Sequence, residues 1–449
     1  MLINNILNKI QQIFRPIYDR SFILQNIDRL IGLNIFLVIF SSTFASSDTI
    51  GYFAIFAIML TAIKLITKTG EKFEMSLADK FLLIYFIFVV ISVAGSSLFY
   101  LSLKGFFKTL TYLGFYISII HYLKNNKDKI KWIFLSFALC ASYETVFAFL
   151  QHFGAVEEIS GWQDTSHLNP EEVMTRVYGT LKPYNPNLFG GYMLSILPAF
   201  ITLPLINKKL SSISLVCGLL ACISLILTGC RGAYIGLFFE IALLIYIIYK
   251  FLKPQLKRAF TILVGFGTFV ISLIVVSIAS LRARIFSIFA MRSDSSNSFR
   301  FNVYHSCIQM FQDNWLLGIG CGNQNFREIY GLYMKTGFDA LSAYNIYLET
   351  AVESGIFALM AFVAFIGIVI FKAIGYIINR EQSEQNELIH LFTDSLIYRI
   401  YILAALLTII GILTHGIVDT VFFRPQIQFT FWVMVGIIRI TVTKEIKGV

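Results

Sequence analysis

The sequence has 449 residues, of which 57% are hydrophobic and only 14% are charged, and its formal net charge is +10. A soluble globular domain carries nearly twice that share of charged residues, so the composition excludes a soluble protein and indicates a polytopic membrane protein. The basic excess is typical of cytoplasmic loops and of contact with anionic membrane lipids. No glycine-rich phosphate loop, RNA-binding signature or zinc-ligand spacing predicts a nucleic-acid partner, a cofactor or a metal.

The first 26 residues are predicted to form a cytoplasmic N-terminus. Apolar residues at near-helical spacing over residues 2–18 favour an amphipathic helix on the membrane surface, with a solvated tail as the alternative. Lys9, Arg15 and Arg20 interrupt the apolar run, which argues against a cleavable signal peptide.

From residue 27 onward, twelve mostly apolar segments approach the roughly 20 residues that a spanning helix needs. The segment near residues 100–122 is the least regular, because Lys104 and Lys108 interrupt it. The predicted fold is all-α, with about 12 transmembrane helices and a long extracytoplasmic loop before helix 10. The predicted divisions are 1–26 for the N-terminus, 27–151 for helices 1–5, 152–186 for an outer loop, 187–280 for helices 6–9, 281–345 for the long outer loop, 346–443 for helices 10–12 and 444–449 for a cytoplasmic tail.

The distribution of basic residues predicts that both termini are cytoplasmic. With that orientation, twenty-two of the 36 Lys and Arg residues fall in inner segments and ten fall in outer segments. The inner bases are mostly Lys, whereas the outer ones are eight Arg and two Lys. Arg is favoured where a planar grip on phosphate or carboxylate is needed, so the outer arginines indicate anion binding, with ordinary headgroup contacts as the alternative.

The segment before predicted helix 6 combines bases, prolines and asparagines. Arg176 and Lys182 precede Asn185 and Asn187, and either asparagine can cap the helix that follows. A helix N-terminus offers free backbone N–H groups, so together with the two bases this segment predicts a phosphate site. A capped loop without a ligand is the alternative.

Arg231 lies in the short sequence TGCRG at residues 228–232, between two long apolar runs. A guanidinium stays charged, so at a membrane edge it needs an anion, a dipole or water as its partner. Gly229 and Gly232 permit close backbone approach, and a helix begins here. Arg231 is therefore a predicted phosphate ligand, with snorkelling to lipid headgroups as the alternative.

Four acidic residues have a predicted place near or inside the spanning helices. Glu349 and Glu353 stand one turn apart near the outer start of helix 10, where they can orient arginines or one of them can take a proton. Glu144 and Glu240 lie inside predicted spans, where an acid is a functional candidate by default and a buried paired group is the alternative.

The last outer turn brings together His415, Asp419 and Arg424. His415 and Asp419 have a spacing that metal ligands use, but two ligands make no site. We expect instead that Asp419 interacts with Arg424.

Four stretches, in this order, resemble the O-antigen ligase and O-antigen polymerase superfamily of bacterial envelope proteins. They are RVYGT through NPN at 176–187, TGCRGA at 228–233, LGIG at 317–320, and NIYLE with ESG at 345–355. Two further stretches, TGFDALSAY at 336–344 and HGIVDTV through RPQ at 415–426, are similar to one branch, the cyanobacterial proteins named as bicarbonate transporters.

The resemblance implies a metal-independent membrane glycosyltransferase, ligase or polymerase of the bacterial plasma (inner) membrane. Its donor would be a glycan on a polyprenyl pyrophosphate, its acceptor a saccharide or a lipid, and its surroundings membrane lipids. Arg231 matches the family's short-turn arginine, and Arg300 is the candidate for the arginine of the long loop; both would hold the pyrophosphate. The full predicted substrate-binding set is Arg176, Lys182, Asn187, Arg231, Arg300, Asn345 and Arg424.

The chain departs from the family's pattern at Tyr344. Ligases carry a histidine immediately before the residue that matches Asn345, and that histidine activates the acceptor hydroxyl. Tyrosine, with an ordinary pKa of about 10, is a poor base at neutral pH. The catalytic candidates are therefore Tyr344 itself, Glu349 and His305. The departure leaves two alternatives open, namely transport of bicarbonate or a related anion, and binding of a lipid or glycan without catalysis.

Overall fold

The structure, a computed structural model, describes residues 2–156, 174–378 and 389–442. The predicted tail at 444–449 and the middle of the predicted loop at 152–186 lie outside these described residues. The α-helices in chain order are α1 (Leu2–Arg20), α2 (Phe22–Gln25), α3 (Ile27–Phe44), α4 (Ser47–Thr67), α5 (Leu77–Gly95), α6 (Phe99–Leu123), α7 (Ile130–His152), α8 (Pro186–Ile196), α9 (Leu203–Ile206), α10 (Leu210–Leu227), α11 (Arg231–Phe251), α12 (Pro254–Ser277), α13 (Ala279–Phe286), α14 (Ser295–Asp313), α15 (Asn323–Tyr330), α16 (Ile346–Ile378), α17 (Ile389–His415) and α18 (Pro425–Val442).

The prediction of an all-α polytopic membrane protein is confirmed. Within the described ranges, eleven helical segments are long and apolar enough to cross a membrane, and each coincides with a predicted span. The remaining predicted span, the fourth in chain order near residues 100–122, corresponds to α6, which has 25 residues but is not among the eleven. α6 carries Lys104 and Lys108, and it packs along α4 and α18.

Helices α8, α17 and α18 occupy the centre of the bundle, and α12 lies at its edge with no buried residue. Successive spans alternate in direction, so their connections gather at two ends. One end carries residues 174–185, 228–230, 278–345 and 416–424, and we call it the long-loop end. Contacts such as the hydrogen bond from Arg176 Nε to the Thr228 carbonyl, at 2.7 Å, join these connections to one another.

The long segment between α12 and α16 is folded and contains α13, α14 and α15. It has a small apolar core of its own, in which Val303, Phe326 and Tyr330 are fully buried. Cys307 and Cys321 are both free thiols. The segment therefore covers the long-loop end as an ordered layer.

Helix α16 is interrupted at Gly355, whose φ of 81° is unsuited to a residue with a side chain. The interruption frees backbone groups that a bilayer cannot satisfy, and the loop before α15 supplies their partners. Ile319 N donates to the Val352 carbonyl and Gly320 N to the Glu353 carbonyl, both at 2.9 Å. Backbone N–H groups of the LGIG motif thus pair with the carbonyls that the break at the ESG motif leaves without helical partners. This pairing explains why the two motifs occur together.

Helix α1 is fixed at the opposite end of the bundle by two polar side chains. Gln11 Nε2 donates to the carbonyls of Leu65 at 2.9 Å and Glu71 at 3.0 Å, and Asn4 Nδ2 donates to Phe73 at 3.2 Å. Ile13 on another face remains 72% exposed. The predicted helix is present, and its location on a cytoplasmic membrane surface stays a prediction.

Candidate functional site

A chain of polar side chains crosses the long-loop end from Arg176 to Arg300. Arg176 Nη2 donates to Asn187 Oδ1 at 2.6 Å, and Asn187 Nδ2 donates to Asp419 Oδ2 at 3.1 Å. The same Asp419 oxygen lies 3.6 Å from an Arg300 nitrogen. Two guanidinium groups therefore lie on either side of one buried carboxylate. Arg176 belongs to the segment that joins α7 to α8, Arg300 belongs to α14, and Asp419 belongs to the turn before α18.

These side chains line a cavity with a volume of about 740 Å³. The cavity lies among the loop-end halves of α4 and α6, the N-termini of α8, α14 and α18, and the segment before α16. Its charged lining consists of four bases and two acids: Lys108, Arg176, Arg300, Arg424, Asp48 and Asp419. Bases outnumber acids, so the cavity favours an anion.

Two of the four bases are available to a ligand. The side chains of Lys108 and Arg424 are exposed, and neither makes a hydrogen bond or ion pair with any residue that the structure describes. Arg300 is 16% exposed, and its guanidinium lies over the Tyr344 ring at 5.9 Å. An anion entering the cavity would therefore meet two unpaired cations beside two oriented guanidinium groups.

Asn185, and not Asn187, caps α8. Asn185 Oδ1 accepts from the backbone N–H groups of Asn187 at 2.8 Å and Leu188 at 3.3 Å. The Asn187 side chain is thereby left to contact Arg176 and Asp419. Two asparagines that were equivalent in the sequence have different roles, because only the first adopts the extended backbone of a cap.

Arg231 does not line the cavity. It is 6% exposed, and its Nη1 lies 2.9 Å from Asp294 Oδ1 and 3.0 Å from Ser287 Oγ. Nearby, Arg284 Nε donates to the Gly229 carbonyl at 2.6 Å. Arg231 thus joins the turn before α11 to the start of α14, the helix that carries Arg300.

Tyr344 does line the cavity, and its backbone φ of 51° is in the left-handed region. Phe299 packs edge-on against its ring, with the ring centroids 5.7 Å apart. Burial raises the pKa of the Tyr344 hydroxyl, the Asp419 carboxylate raises it further, and Arg300 opposes them only in part. Tyr344 therefore keeps its proton at neutral pH and can donate a hydrogen bond, but it is a poor base.

The other two catalytic candidates lie outside this cavity. His305 is exposed on α14, five residues beyond Arg300 and so roughly 140° around the helix. Glu349 is 2% exposed, and its Oε2 accepts from the Ala343 backbone N–H at 3.0 Å. Glu349 instead borders a neighbouring cavity of about 60 Å³, together with Glu353.

Two predicted binding residues also lie elsewhere. Asn345 caps the start of α16, where its Oδ1 accepts from Tyr347 N at 2.9 Å and Leu348 N at 3.0 Å. Lys182 is exposed and does not line the cavity; its carbonyl accepts from Gln426 Nε2 at 3.3 Å. The structure thus brings together Arg176, Asn187, Arg300, Tyr344 and Arg424 but not these two.

Asp419 and Lys108 are the residues that sequence reasoning placed incompletely. The sequence predicts a contact between Asp419 and Arg424, but the side-chain partners of Asp419 are Arg300 and Asn187. The other oxygen, Oδ1, accepts from the backbone N–H groups of Thr420 and Val421. In the sequence, Lys108 stands out only as an interruption of a spanning helix. A lysine at that depth is costly without an anionic partner, and this cost is the signal that could have marked it as functional.

The two acids inside predicted spans have different surroundings, because only Glu144 has a hydrogen-bond partner among the described residues. Glu144 is fully buried and accepts from the Thr180 hydroxyl at 2.6 Å and the Thr180 backbone at 2.9 Å, so it holds the segment before α8. Glu240 is 4% exposed and packs beside Gly411 of α17. Neither residue borders the 740 Å³ cavity.

His415 faces a thiol, with its Nε2 lying 3.6 Å from Cys230 Sγ. Across the described ranges, His, Cys, Asp and Glu side chains form no group of three that could hold a metal ion.

The fold and site define a polytopic membrane protein with a cavity, lined by more basic than acidic side chains, at one end of its helix bundle. Residues 216–363 match a family model described as O-Antigen ligase. This match supports the O-antigen ligase superfamily, and with it a ligase- or polymerase-type function in a membrane; it lends no support to the bicarbonate-transporter branch. No curated protein matches the chain.

Proposed function

We propose that the protein is a membrane glycosyltransferase that moves a glycan from a polyprenyl pyrophosphate to a hydroxyl of a saccharide or lipid acceptor. The observation that supports this proposal most directly is the cavity, which is lined at the long-loop end by four basic side chains: Arg176, Arg300, Arg424 and Lys108. A departing pyrophosphate gains negative charge, and cations already in place near low-dielectric lipid stabilise it most effectively. The match over 216–363 includes Arg300 and the turn around Arg231.

In the proposed reaction, the acceptor oxygen attacks the anomeric carbon of the glycan. The bond from that carbon to the phosphate oxygen breaks, its electron pair leaves with the polyprenyl pyrophosphate, and the acceptor hydroxyl loses its proton. Asp419 is our preferred proton acceptor, because its carboxylate lines the cavity beside Arg300 and Asn187. Tyr344 would orient the acceptor by donating a hydrogen bond.

The proposed location is the bacterial plasma (inner) membrane, with the long-loop end outside and both termini in the cytoplasm. The excess of Lys and Arg at the opposite end supports this orientation. Anion transport is the weaker alternative, because it needs polar groups through the full thickness of the membrane. Glu144 is already bonded to Thr180, and the buried Glu240 Oε1 has no hydrogen-bond partner among the described residues with which it could continue a polar path.

The test uses purified protein in vesicles with a polyprenyl-pyrophosphate-linked glycan and a candidate acceptor. The readout is released polyprenyl pyrophosphate together with transferred glycan. Arg300→Gln removes a cation from the cavity and should lower the transfer rate by about 100-fold or more. Arg327→Gln is the matched control, since Arg327 belongs to the same long segment but forms an exposed pair with Asp339. Equal rates in the two variants would refute the proposal.

A further inference from the structure

We propose that the cavity opens sideways into the membrane between α4 and α6, and that this opening holds the isoprenoid chain of a phosphorylated lipid. The inference rests on the proposed function for the phosphate end of that lipid. It adds the place where the apolar chain leaves the cavity, and it assigns a role to two helices outside the 216–363 match.

The two helices pack closely at one level and separate at another. A methyl group added at Gly114 of α6 would lie 2.9 Å from the Ile58 side chain of α4, so the helices touch there. A methyl group added at Gly51, nearer the long-loop end, would have no heavy atom within 4 Å. The space between α4 and α6 therefore widens toward the long-loop end, at the level of the cavity.

The walls of this opening face both the cavity and the outside of the protein. Tyr52 and Ile55 of α4 and Phe107 of α6 line the cavity, yet they are 70%, 43% and 56% exposed. Ile55 lies eight residues into α4, which is about 12 Å along the helix from its start. Side chains this exposed are not covered by another part of the described structure, so we infer that the cavity is open to the bilayer on this side.

The cavity is closed in the direction of the opposite end of the bundle. Phe429, which lines the cavity, has its ring centroid 5.1 Å from that of Tyr112 and 4.9 Å from that of Phe115. These three rings fill the space beneath the cavity. A long apolar chain attached to a group inside the cavity must therefore leave sideways, between α4 and α6.

The chemistry at the opening selects a lipid with an anionic head. Lys108 directly follows Phe107, so a cation borders the point where the apolar wall begins. The apolar surface continues along α4 at Met59 and Ile63, which are 54% and 40% exposed. A lipid fits both the cations and the apolar surface, because its phosphate or pyrophosphate can lie at the four bases while its one long chain lies along α4. Free phosphate would leave the apolar opening unused.

The test compares two ligands bound by the full-length protein in lipid nanodiscs: a long-chain isoprenyl pyrophosphate, and inorganic pyrophosphate, which has no chain. Gly51→Trp and, separately, Ile55→Trp place an indole in the opening. Each should weaken binding of the long-chain ligand by about tenfold or more, while inorganic pyrophosphate binds as it does to the unsubstituted protein. Tyr246→Trp, at a 55% exposed position of α11, is the control for an indole facing lipid elsewhere.

The possible outcomes separate this inference from the proposed function. Unchanged binding of the long-chain ligand in both tryptophan variants, with thermal unfolding unaltered, would overturn the side opening and leave the phosphate site standing. If neither ligand binds the unsubstituted protein, the proposed function fails and the inference fails with it. A photoreactive group at position 55 should also label the long-chain lipid, and one at position 246 should not.

Discussion

The ion pair between Arg231 and Asp294 gives the most discriminating prediction. The sequence alone predicts that Arg231 holds phosphate, whereas the structure gives it a buried carboxylate partner at 2.9 Å. The two side chains are 6% and 5% exposed. Asp294 also caps α14, accepting from Asn297 N at 2.8 Å. If Arg231 acts through this contact, then neutralising either partner should be harmful, and neutralising both should be tolerated.

The magnitude follows from the cost of an unpaired buried charge. Removing one member of a buried ion pair costs about 3–5 kcal/mol. If about 3 kcal/mol of this acts on the position of α14, the fraction of molecules with Arg300 correctly placed falls on the order of 100-fold. Arg231→Gln and Asp294→Asn should therefore each lower glycan transfer by roughly that factor. The asparagine preserves the cap of α14, so the helix itself should still form.

The assay is glycan transfer in vesicles by the two single variants and by the double variant Arg231→Gln/Asp294→Asn. We expect the double variant to recover transfer to within about tenfold of the unsubstituted protein, because no charge is left unpaired. Arg327→Gln/Asp339→Asn removes an exposed pair from the same segment and should change transfer only a few-fold. A double variant as inactive as Arg231→Gln, with normal thermal unfolding, would refute this reasoning and return Arg231 to the phosphate site.

Three further predictions concern the base, the broken helix and acid stability. Asp419→Asn should lower transfer about 100-fold or more while inorganic pyrophosphate still binds, and Tyr344→Phe should cost less than about tenfold; the reverse order would make Tyr344 the proton acceptor. Gly355→Ala should lower the yield and the unfolding temperature, because its Cβ would collide with the Leu316 carbonyl at a positive φ; normal stability would contradict the pairing seen at that break. Burial alone raises the pKa of Glu71, but the His121 ring, whose Nδ1 lies 3.6 Å from the carboxylate, and the charge of Lys64 at 3.3 Å lower it to about 2. The ionised Glu71 carboxylate therefore stabilises the folded protein above the unfolded-chain pKa of about 4.3, and this stabilisation is lost as the pH falls toward 2. The unfolding temperature of the unsubstituted protein should drop below about pH 4, and that of Glu71→Gln should drop less.

Much of the fold could be predicted because the bilayer imposes it. Inside lipid, every backbone N–H and C=O needs an internal partner, so a run of about 20 apolar residues has little choice but to be a helix. Predicted helix 10, the first helix of the 346–443 region, illustrates the limit, since its start agrees with α16 but the sequence does not predict the break at Gly355. That break depends on partners in the loop at 315–320, which no local pattern connects to it.

The site was predicted less completely, and the reason is side-chain direction. Arg231 and Arg300 are both arginines at helix starts or in loops at the same end of the bundle. Only Arg300 faces the cavity, since Arg231 is held by Asp294. Asn345 resembled a ligand because of its motif, but its side chain is used to cap α16. Residue type indicated the chemistry, and the neighbours decided which residue is free to perform it.

The sequence by itself determined that this is a helical membrane protein whose bases at one end of the spans are mostly arginines, because hydropathy and charge act locally along the chain. It also determined the resemblance that the match over 216–363 supports. Only the tertiary structure decided that Lys108 of α6 and Asp419 before α18 border the same cavity as Arg176 and Arg300. These residues come from four distant parts of the chain, and packing between helices alone brings them together.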